Sequence, residues 1–204
     1  MNAQFTYNDP VFRVGHSAKD AIRTEARSRR AKMEHSLIDA TLVSHLLTWL
    51  GPARRIAAYS PMANEPGGKE LLPALAEVHE VWLPITPAHG ELRWGLYDGS
   101  LRRGVHFGIE EPEGPGEPSL SALSLDAVLV PALGVDRSGV RLGQGAGYYD
   151  RALDGVDCPV VALVYDGEVH DSLPSEPHDW PVDAAVTQSG FVELGTGRGG
   201  RAVQ

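Results

Sequence analysis

Residues 126–153 read DAVLVPALGVDRSGVRLGQGAGYYDRAL, and this stretch decides the fold and the site of the chain. The apolar run 127–131 predicts a buried strand, which ends in a turn over 136–139. The glycine-rich segment 143–147 follows, and the composition then predicts a short helix from Tyr148. A strand, a glycine loop and a helix start, in that order, can present backbone N–H groups to a phosphate.

Two charged side chains flank this loop, Arg141 before it and Asp150 after it. A cation and a carboxylate in these places suit a magnesium-bound polyphosphate. The loop matches neither the G-x-x-x-x-G-K-[ST] phosphate loop nor the G-x-G-x-x-G dinucleotide fingerprint. A G-x-G-x-G turn is weak evidence alone, and Asp150 equally suits an ordinary helix start, where the helix dipole favours negative charge.

The composition is that of a globular protein of 204 residues, with 42% hydrophobic and 22% charged residues. A single cysteine, Cys158, excludes an intrachain disulfide and favours a reducing compartment. No apolar run reaches the length of a membrane span, and the N-terminus lacks the pattern of a signal peptide. We therefore expect a cytoplasmic protein. A net charge of −9 argues against broad nucleic-acid binding.

The alternation of apolar runs with helical patterns predicts an α/β fold with an open, mostly parallel, doubly wound sheet flanked by helices in three layers. We expect an extended arm over 1–16, a single domain over 17–190, and a mobile Gly/Arg-rich tail over 191–204. Ser17 and Asp20 resemble a capping box that starts the first helix. The second helix ends at Gly51-Pro52. The expected strands lie at 55–59, 81–84, 92–97, 127–130, 159–164 and 184–187, and 107–119 is expected to be a loop.

Basic residues concentrate on one face of the first helix, where Lys19, Arg23 and Arg27 are spaced by four and Arg30 extends the stripe. Such a stripe is tolerated more readily when an anion lies against it. On spacing alone, a solvated face compensated by nearby acidic residues is the simpler interpretation.

The acidic segment 168–183 offers oxygen ligands, and Asp179 in it could contribute to a magnesium site. A solvated proline-rich loop fits the same composition. The eight histidines form no H-x-x-x-H pair, which disfavours zinc, and no G-x-S-x-G elbow indicates a serine hydrolase.

Taken together, these segments resemble the 5-formyltetrahydrofolate cyclo-ligase family, also known as 5,10-methenyltetrahydrofolate synthetase. The similarity covers about residues 17–190 and is most specific at the Arg-Leu-Gly-x-Gly-x-Gly-Tyr-Tyr-Asp motif of 141–150. The other matching segments are Lys19 with Arg23, Glu65 in 59–65, 108–112, 130–151 and 173–179.

The resemblance implies an enzyme that converts 5-formyltetrahydrofolate to 5,10-methenyltetrahydrofolate with ATP and Mg²⁺, releasing ADP and phosphate. In that reaction the γ-phosphoryl group is transferred to the formyl oxygen, and N10 then closes the ring. Positioning and charge neutralisation dominate such phosphoryl transfer.

The resemblance also implies roles for individual residues. Lys19, Arg141 and Tyr149 would be catalytic. ATP would contact Lys19, Arg23, Arg141, Leu142, Gly143, Gln144, Gly145, Ala146, Gly147, Tyr148 and Tyr149. The folate would contact Tyr59, Ser60, Met62, Glu65, Phe107 and Tyr148, with Glu65 bonded to the N–H groups of the pterin. Asp150 and Asp179 would orient Mg²⁺.

Three positions depart from the family pattern. Glu168 stands where the family commonly has Gln, 66–68 read Pro-Gly-Gly where a Thr is frequent, and Ala146 replaces a common Gly or Lys. None of them removes a residue proposed for phosphate or magnesium, although all three bear on the details of the folate pocket.

Two other classes of function remain open. One is a non-catalytic nucleotide- or RNA-binding module that uses the basic helix, with Arg198 and Arg201 of the tail. The other is a sugar-phosphate isomerase or CoA-transferase-like enzyme on a similar sheet. The resemblance favours the ligase, with small-molecule substrates, no nucleic acid or membrane partner, and a monomeric state.

Overall fold

The computed structural model describes residues 10–87, 90–105 and 108–195, and it describes side chains from residue 18 onward. The α-helices are α1 (Pro10–Arg30), α2 (His35–Leu50), α3 (Leu71–Ala76) and α4 (Tyr148–Ala152). The first six strands are β1 (Arg55–Ala57), β2 (Glu80–Ile85), β3 (Arg93–Leu96), β4 (Arg102–Arg103), β5 (Glu110–Glu111) and β6 (Ala127–Pro131). The remaining strands are β7 (Gly134–Asp136), β8 (Arg141–Leu142), β9 (Val160–Leu163), β10 (Val169–His170), β11 (Ala184–Thr187) and β12 (Gly190–Glu193). Short 3₁₀ helices lie at Gly68–Glu70, Leu120–Ala122 and Asp166–Glu168.

Seven strands form the main sheet in the order β12-β11-β9-β6-β1-β2-β3. The five inner strands run parallel, and the edge strands β12 and β3 run antiparallel to their neighbours. The inner strands are short apolar segments buried on both faces, as parallel sheets require. The expected α/β fold with a mostly parallel sheet is confirmed.

Alternate residues of each inner strand supply the two halves of the core. In β6, Leu129 belongs to the cluster under α2 and α3, whereas Val128 and Val130 belong to the cluster on the other face. The first face is covered by leucines spaced four apart in α2, namely Leu42, Leu46 and Leu50. The second face is covered by α4, the 3₁₀ helix Leu120–Ala122 and loops, so this layer contains less helix than the first.

A small three-stranded sheet, in the order β10-β7-β8, lies between the main sheet and α1. Ala26 and Ile22 of α1 pack against Leu133, Leu142 and Leu173 there. The expected turn over 136–139 is confirmed, because the N–H of Gly139 donates to the carbonyl of Asp136, and the turn joins β7 and β8 in a hairpin that was not expected. The carboxylate of Asp136 holds its turn by accepting the N–H groups of Ser138 and Val140.

At both ends of the expected domain, the secondary structure extends further than the sequence indicated. Helix α1 begins at Pro10, so residues 10–16 are helical rather than extended, and Ser17 lies inside the helix rather than at a cap. Proline is well suited to a first helical position, because the backbone N–H that it lacks would have no acceptor within the helix there in any case. At the other end, Phe191 and Val192 belong to β12, which pairs with β11. Residues 1–9 and 196–204 lie outside the described residues.

Among the helices that the described residues form, none has both the length and the apolar character that crossing a membrane requires.

Candidate functional site

The candidate site lies where the strand order of the main sheet reverses. Strand β1 connects onward to β2 on one side, whereas the chain later returns to place β6 on the other side of β1. The segments that leave the carboxyl ends of β1 and β6 therefore diverge and open a crevice, which is where open α/β sheets bind ligands. Ser60 follows β1 and Pro131 ends β6, and both line this crevice.

The glycine loop, residues 143–147, borders the crevice between β8 and α4. Gly145 has a φ of +105° and Gly147 has a φ of +67°, a region of backbone conformation that side chains disfavour. A Cβ on Gly145 would also lie 3.3 Å from the guanidinium carbon of Arg23. Glycine thus lets the backbone approach a basic side chain closely.

Arg141 lies beneath the loop, where only 6% of its surface is exposed and its contacts hold the side chain in place. Its NH2 donates to Asp150 at 2.9 Å and its NH1 donates to the carbonyl of Pro131 at 3.2 Å. The guanidinium carbon lies 5.7 Å from the centre of the Tyr149 ring, in cation–π geometry. Among the described residues, the buried Nε of Arg141 has no hydrogen-bond partner, so the donors of this cation are not all satisfied by the protein.

The basic face of α1 turns toward the crevice rather than toward solvent. Lys19 is 4% exposed and donates to both Glu176 and Asp179 at 2.7 Å. Arg23 donates through Nε to the carbonyl of Gly143 at 3.0 Å. The interpretation as a solvated face is wrong for Lys19 and Arg30, which are buried where α1 packs over the small sheet, whereas Arg27 stays exposed at the edge of the crevice.

The acidic segment folds into a group of possible metal ligands. The ligand atoms of Glu176, His178 and Asp179 all lie within 4.8 Å of one another. The backbone N–H of Glu176 donates to Asp179 at 2.7 Å, which fixes the turn that gathers them. Asp150 does not belong to this group. Its Oδ1 instead accepts hydrogen bonds from Arg141 and from the backbone N–H of Trp180.

On the opposite wall, Glu65 presents a carboxylate that is only 5% exposed. The N–H of Met62 donates to its Oε2 at 2.9 Å, and the amide of Gln144 donates to its Oε1 at 3.2 Å. Tyr59 lies in the floor of the crevice, where its hydroxyl donates to the carbonyl of Pro66. Burial, and then the charge of Glu65, raises the pKa of Tyr59 well above its usual value.

The two tyrosines of the motif have different environments. Tyr149 packs edge-on against Trp94 with ring centres 6.4 Å apart. Burial, followed by the charge of Glu65, raises the pKa of Tyr149 well above its usual value. Tyr148 stacks with Arg151, whose guanidinium carbon lies 5.3 Å from the ring centre.

The crevice has two compartments. A cavity of about 380 Å³ lies against the glycine loop, and a second of about 770 Å³ adjoins it beside the 61–65 segment and Arg103. The residues that line both are Arg27, Met62, Glu65, Ile109 and Gln144. The site therefore has room for two ligands that meet at a shared boundary.

The structure brings together most of the residues that the sequence predicted. The smaller cavity is lined by Lys19, Arg23, Tyr59, Ser60, Met62, Glu65, Arg141, Leu142, Gly143, Gln144, Gly145, Ala146, Gly147, Tyr148, Tyr149, Asp150 and Asp179. Phe107 lies outside the described residues. Sequence reasoning missed the site roles of Arg27 and Glu176. The regular spacing of Arg27 after Lys19 and Arg23 was an available signal.

Fold and site together define an open α/β protein with a cationic glycine-loop crevice at the switch point of its sheet. The sequence profile of the 5-formyltetrahydrofolate cyclo-ligase family matches residues 16–188. A 5-formyltetrahydrofolate cyclo-ligase of Mycolicibacterium smegmatis is 36% identical over 190 residues, which cover 87% of this chain and 97% of that protein. One of Haemophilus influenzae is 29% identical over 178 residues, covering 80% and 94%.

Solved structures agree with this assignment. The NMR structure of Aquifex aeolicus 5,10-methenyltetrahydrofolate synthetase superposes with a TM-score of 0.74 at 27% identity, covering 91% of this chain and 96% of that one. The chain belongs to the 5-formyltetrahydrofolate cyclo-ligase family. The resemblance read from the sequence, and the class of enzyme that it implied, are confirmed.

Proposed function

We propose that this chain catalyses the ATP- and Mg²⁺-dependent conversion of 5-formyltetrahydrofolate to 5,10-methenyltetrahydrofolate, with release of ADP and phosphate. The observation that carries the proposal is the pairing of a cationic glycine-loop cavity with a second cavity across one boundary. A reaction between ATP and an organic substrate requires a site that holds both substrates next to each other.

The smaller cavity suits the triphosphate. The glycine loop is surrounded by Lys19, Arg23 and Arg141. Their positive charges would offset the negative charges of the phosphate oxygens. Arg141 is already held by Asp150 and Pro131, so it can meet the transferring phosphoryl group without reorganising. The protonated phenol of Tyr149 adds a donor on the same side.

The residues of the acidic segment fit Mg²⁺. Magnesium takes oxygen ligands, keeps several waters and is held by one or two carboxylates together with substrate phosphates. Asp179 and Glu176 supply such carboxylates beside Lys19, and Asp150 lies next to Trp180 of the same segment. When bound, the metal would offset negative charge on the phosphate oxygens.

The folate would extend from the boundary into the larger cavity. Glu65 there accepts hydrogen bonds, as adjacent N–H groups of a pterin ring require. Met62 lies at the same boundary, while Ser60 and Tyr59 line the smaller cavity beside it. This placement brings the formyl group toward the end of the triphosphate.

The bonds that form and break in this reaction all lie within the two substrates, so no side chain of the protein needs to form a covalent intermediate. The formyl oxygen attacks the γ-phosphorus as the bond to ADP breaks, which converts a poor leaving group into a phosphate ester. N10 then attacks the formyl carbon and loses its proton, and the C–O bond breaks to release phosphate. The side chains orient the two substrates and neutralise charge.

The alternatives find less support. An RNA-binding module would need an exposed basic helix, yet Lys19 and Arg30 are buried and paired with carboxylates. Membership of the cyclo-ligase family disfavours a sugar-phosphate isomerase or a CoA-transferase-like enzyme. The monomeric state and the cytoplasmic location stay predictions, and size-exclusion chromatography with light scattering tests the first.

The test mixes the protein with Mg-ATP and 5-formyltetrahydrofolate and follows the absorbance of the methenyl product. We expect a rise that needs both ATP and Mg²⁺ and stops when EDTA is added. The absence of an ATP-dependent signal would overturn the proposal.

Arg141→Ala is the matched variant for this assay. We expect turnover to fall by about 100-fold or more, because a preorganised cation at the transferring group is lost. Circular dichroism and the melting curve check that the fold is intact. Near-normal kinetics in a folded variant would remove Arg141 from the phosphate site.

A further inference from the structure

At the boundary between the two cavities, hydrogen bonds link the side chains of Arg27, Gln144 and Glu65 into a bridge. The Oε1 of Gln144 accepts from NH2 of Arg27 at 2.8 Å and from its Nε at 3.2 Å. The Nε2 of the same amide donates to Oε1 of Glu65 at 3.2 Å. Arginine only donates and an ionised carboxylate only accepts, so the orientation of the amide is fixed by its two partners.

This bridge covers the carboxylate that we assign to the pterin. Glu65 is only 5% exposed, and one of its oxygens is already held by the N–H of Met62. The other oxygen is capped by Gln144 from the side of the glycine loop. A ligand whose N–H donors approach this oxygen from the side of the glycine loop therefore competes with the amide of Gln144.

Moving the amide also changes the environment of Arg27. Arg27 lies one helical repeat beyond Arg23 on the face of α1 that lines the glycine-loop cavity. Among the residues that the structure describes, Arg27 donates only to Gln144, with two bonds to the side chain and a longer one, at 3.5 Å, to the backbone carbonyl. When the side chain of Gln144 moves away, the N–H groups on Nε and NH2 of Arg27 that it had accepted become available to a phosphate.

We propose that Gln144 is a positioning residue that couples the two substrates, since it holds Glu65 and Arg27 together before folate binds and releases both when the folate binds. The proposal rests on the proposed function. Folate binding displaces Gln144 from Glu65 and frees Arg27 for the triphosphate. By thermodynamic reciprocity, the triphosphate then tightens folate binding by the same factor.

The test measures the affinity for 5-formyltetrahydrofolate by calorimetry, with and without a saturating magnesium complex of a non-hydrolysable ATP analogue. For the wild-type chain we expect about tenfold tighter folate binding in the presence of the analogue. In Gln144→Ala we expect tighter folate binding than wild type without the analogue, and a coupling factor within about twofold of unity. In steady-state kinetics the same variant should lower the KM for folate more than it changes kcat.

A second variant separates the two halves of the bridge. Gln144→Glu keeps an acceptor for Arg27, but it cannot donate to Glu65 and repels it. We expect it to release Glu65 as the alanine variant does, while it binds the ATP analogue more weakly than the alanine variant because Arg27 stays paired. Gln188→Ala is the control, since Gln188 lies outside the crevice and accepts from Asp166. It should keep wild-type coupling.

The outcomes are distinguishable. Unchanged coupling in Gln144→Ala, with folate still bound, would overturn the role of Gln144 and leave the proposed function standing. Absence of folate binding by the wild-type chain would overturn both. Because Gln144 is exposed, loss of folding is not expected in these variants, and melting curves verify this.

Discussion

At the scale of single residues, the buried carboxylate of Glu168 links three segments behind the crevice. It accepts from Nε and NH2 of Arg30 at 2.8 and 2.7 Å and from the N–H of Tyr165 at 2.9 Å. Arg30 also donates to the carbonyl of Ala132, directly after β6. Burial alone would lower the pKa of Arg30, but the hydrogen bond and charge of Glu168 outweigh it and raise that pKa. Glu168 thus acts as a structural anion.

Glu168→Gln should destabilise the protein by about 1–3 kcal/mol, the cost of a buried donor left without an acceptor. Both carboxylate oxygens accept from N–H donors, so either orientation of the new amide points an NH₂ group at another donor. Chemical denaturation measures the effect. The exposed Glu193→Gln is the control and should stay within about 0.5 kcal/mol of wild type. Equal stabilities of the two variants would contradict this account.

Gly143 controls the position of Arg141 by leaving space. A Cβ at Gly143 would lie 2.7 Å from NH1 of Arg141, although the backbone of Gly143 is outside the left-handed region. Gly143→Ala should therefore lower kcat/KM by about 100-fold through a misplaced guanidinium, with little loss of stability. Enzyme kinetics and melting curves measure the two effects. In the control Gly167→Ala the nearest atom to the new Cβ is 3.6 Å away, an ordinary contact, and wild-type kinetics are expected.

Local pattern predicted the site at this scale only in part. Arg141, the loop and Asp150 are close in sequence, so a short motif was enough to bring them together. Lys19, in contrast, donates to Glu176 and Asp179, which lie 157 and 160 positions away along the chain. No local spacing specifies such a contact.

At the scale of elements, the start of the central strand pair is fixed by one side chain. The carboxylate of Asp126, just before β6, accepts the backbone N–H groups of Arg54 and Arg55 at 2.7 and 2.9 Å. It thereby aligns β6 with β1, between which the crevice opens at the other end. Hydrogen bonds from the backbone N–H groups of Arg55 and Arg54 lower the pKa of Asp126 below its usual value.

Asp126→Asn should cost about 1 kcal/mol at pH 7, a modest value because the side chain is exposed. Since the folded-state pKa of Asp126 lies below its unfolded value of about 3.9, the stabilisation is present above about pH 4. It is lost as the pH falls through the folded pKa. Denaturation curves at pH 7 and at lower pH values check this. The difference from wild type should shrink below pH 4, and a constant difference would contradict the role of the charge. Asp154→Asn, at another exposed aspartate, serves as control.

The elements themselves were predictable where hydrophobic pattern was strong. The apolar runs of β6, β9 and β11 and the leucines of α2 gave correct elements. The hairpin of β7 and β8 was missed, because strands of three and two residues carry too short a pattern. The start of α1 was missed because Gly15 and mixed polarity hid the helical period.

At the scale of the whole molecule, binding in the crevice should stabilise the fold, because α1, the segment after β1 and the segment after β6 all meet there. A magnesium complex of an ATP analogue at about 100 times its Kd should add about 2.7 kcal/mol, which raises Tm by roughly 5–10 °C. Thermal unfolding measures the shift. AMP at the same concentration lacks the outer phosphates and should shift Tm much less. An equal shift with AMP would place the binding energy outside the phosphate cavity.

The sequence by itself determined the class of fold, the glycine loop with its flanking charges, and membership of a family. Each of these depends on residues that are adjacent or periodic along the chain. Only the tertiary structure decided that the basic stripe of α1 faces inward and that the crevice has two compartments. It also decided that Gln144 joins Arg27 to Glu65 across their boundary. The reason is physical: contacts between residues 79 to 160 positions apart are set by how helices pack on the sheet, and one-dimensional spacing carries no record of that packing.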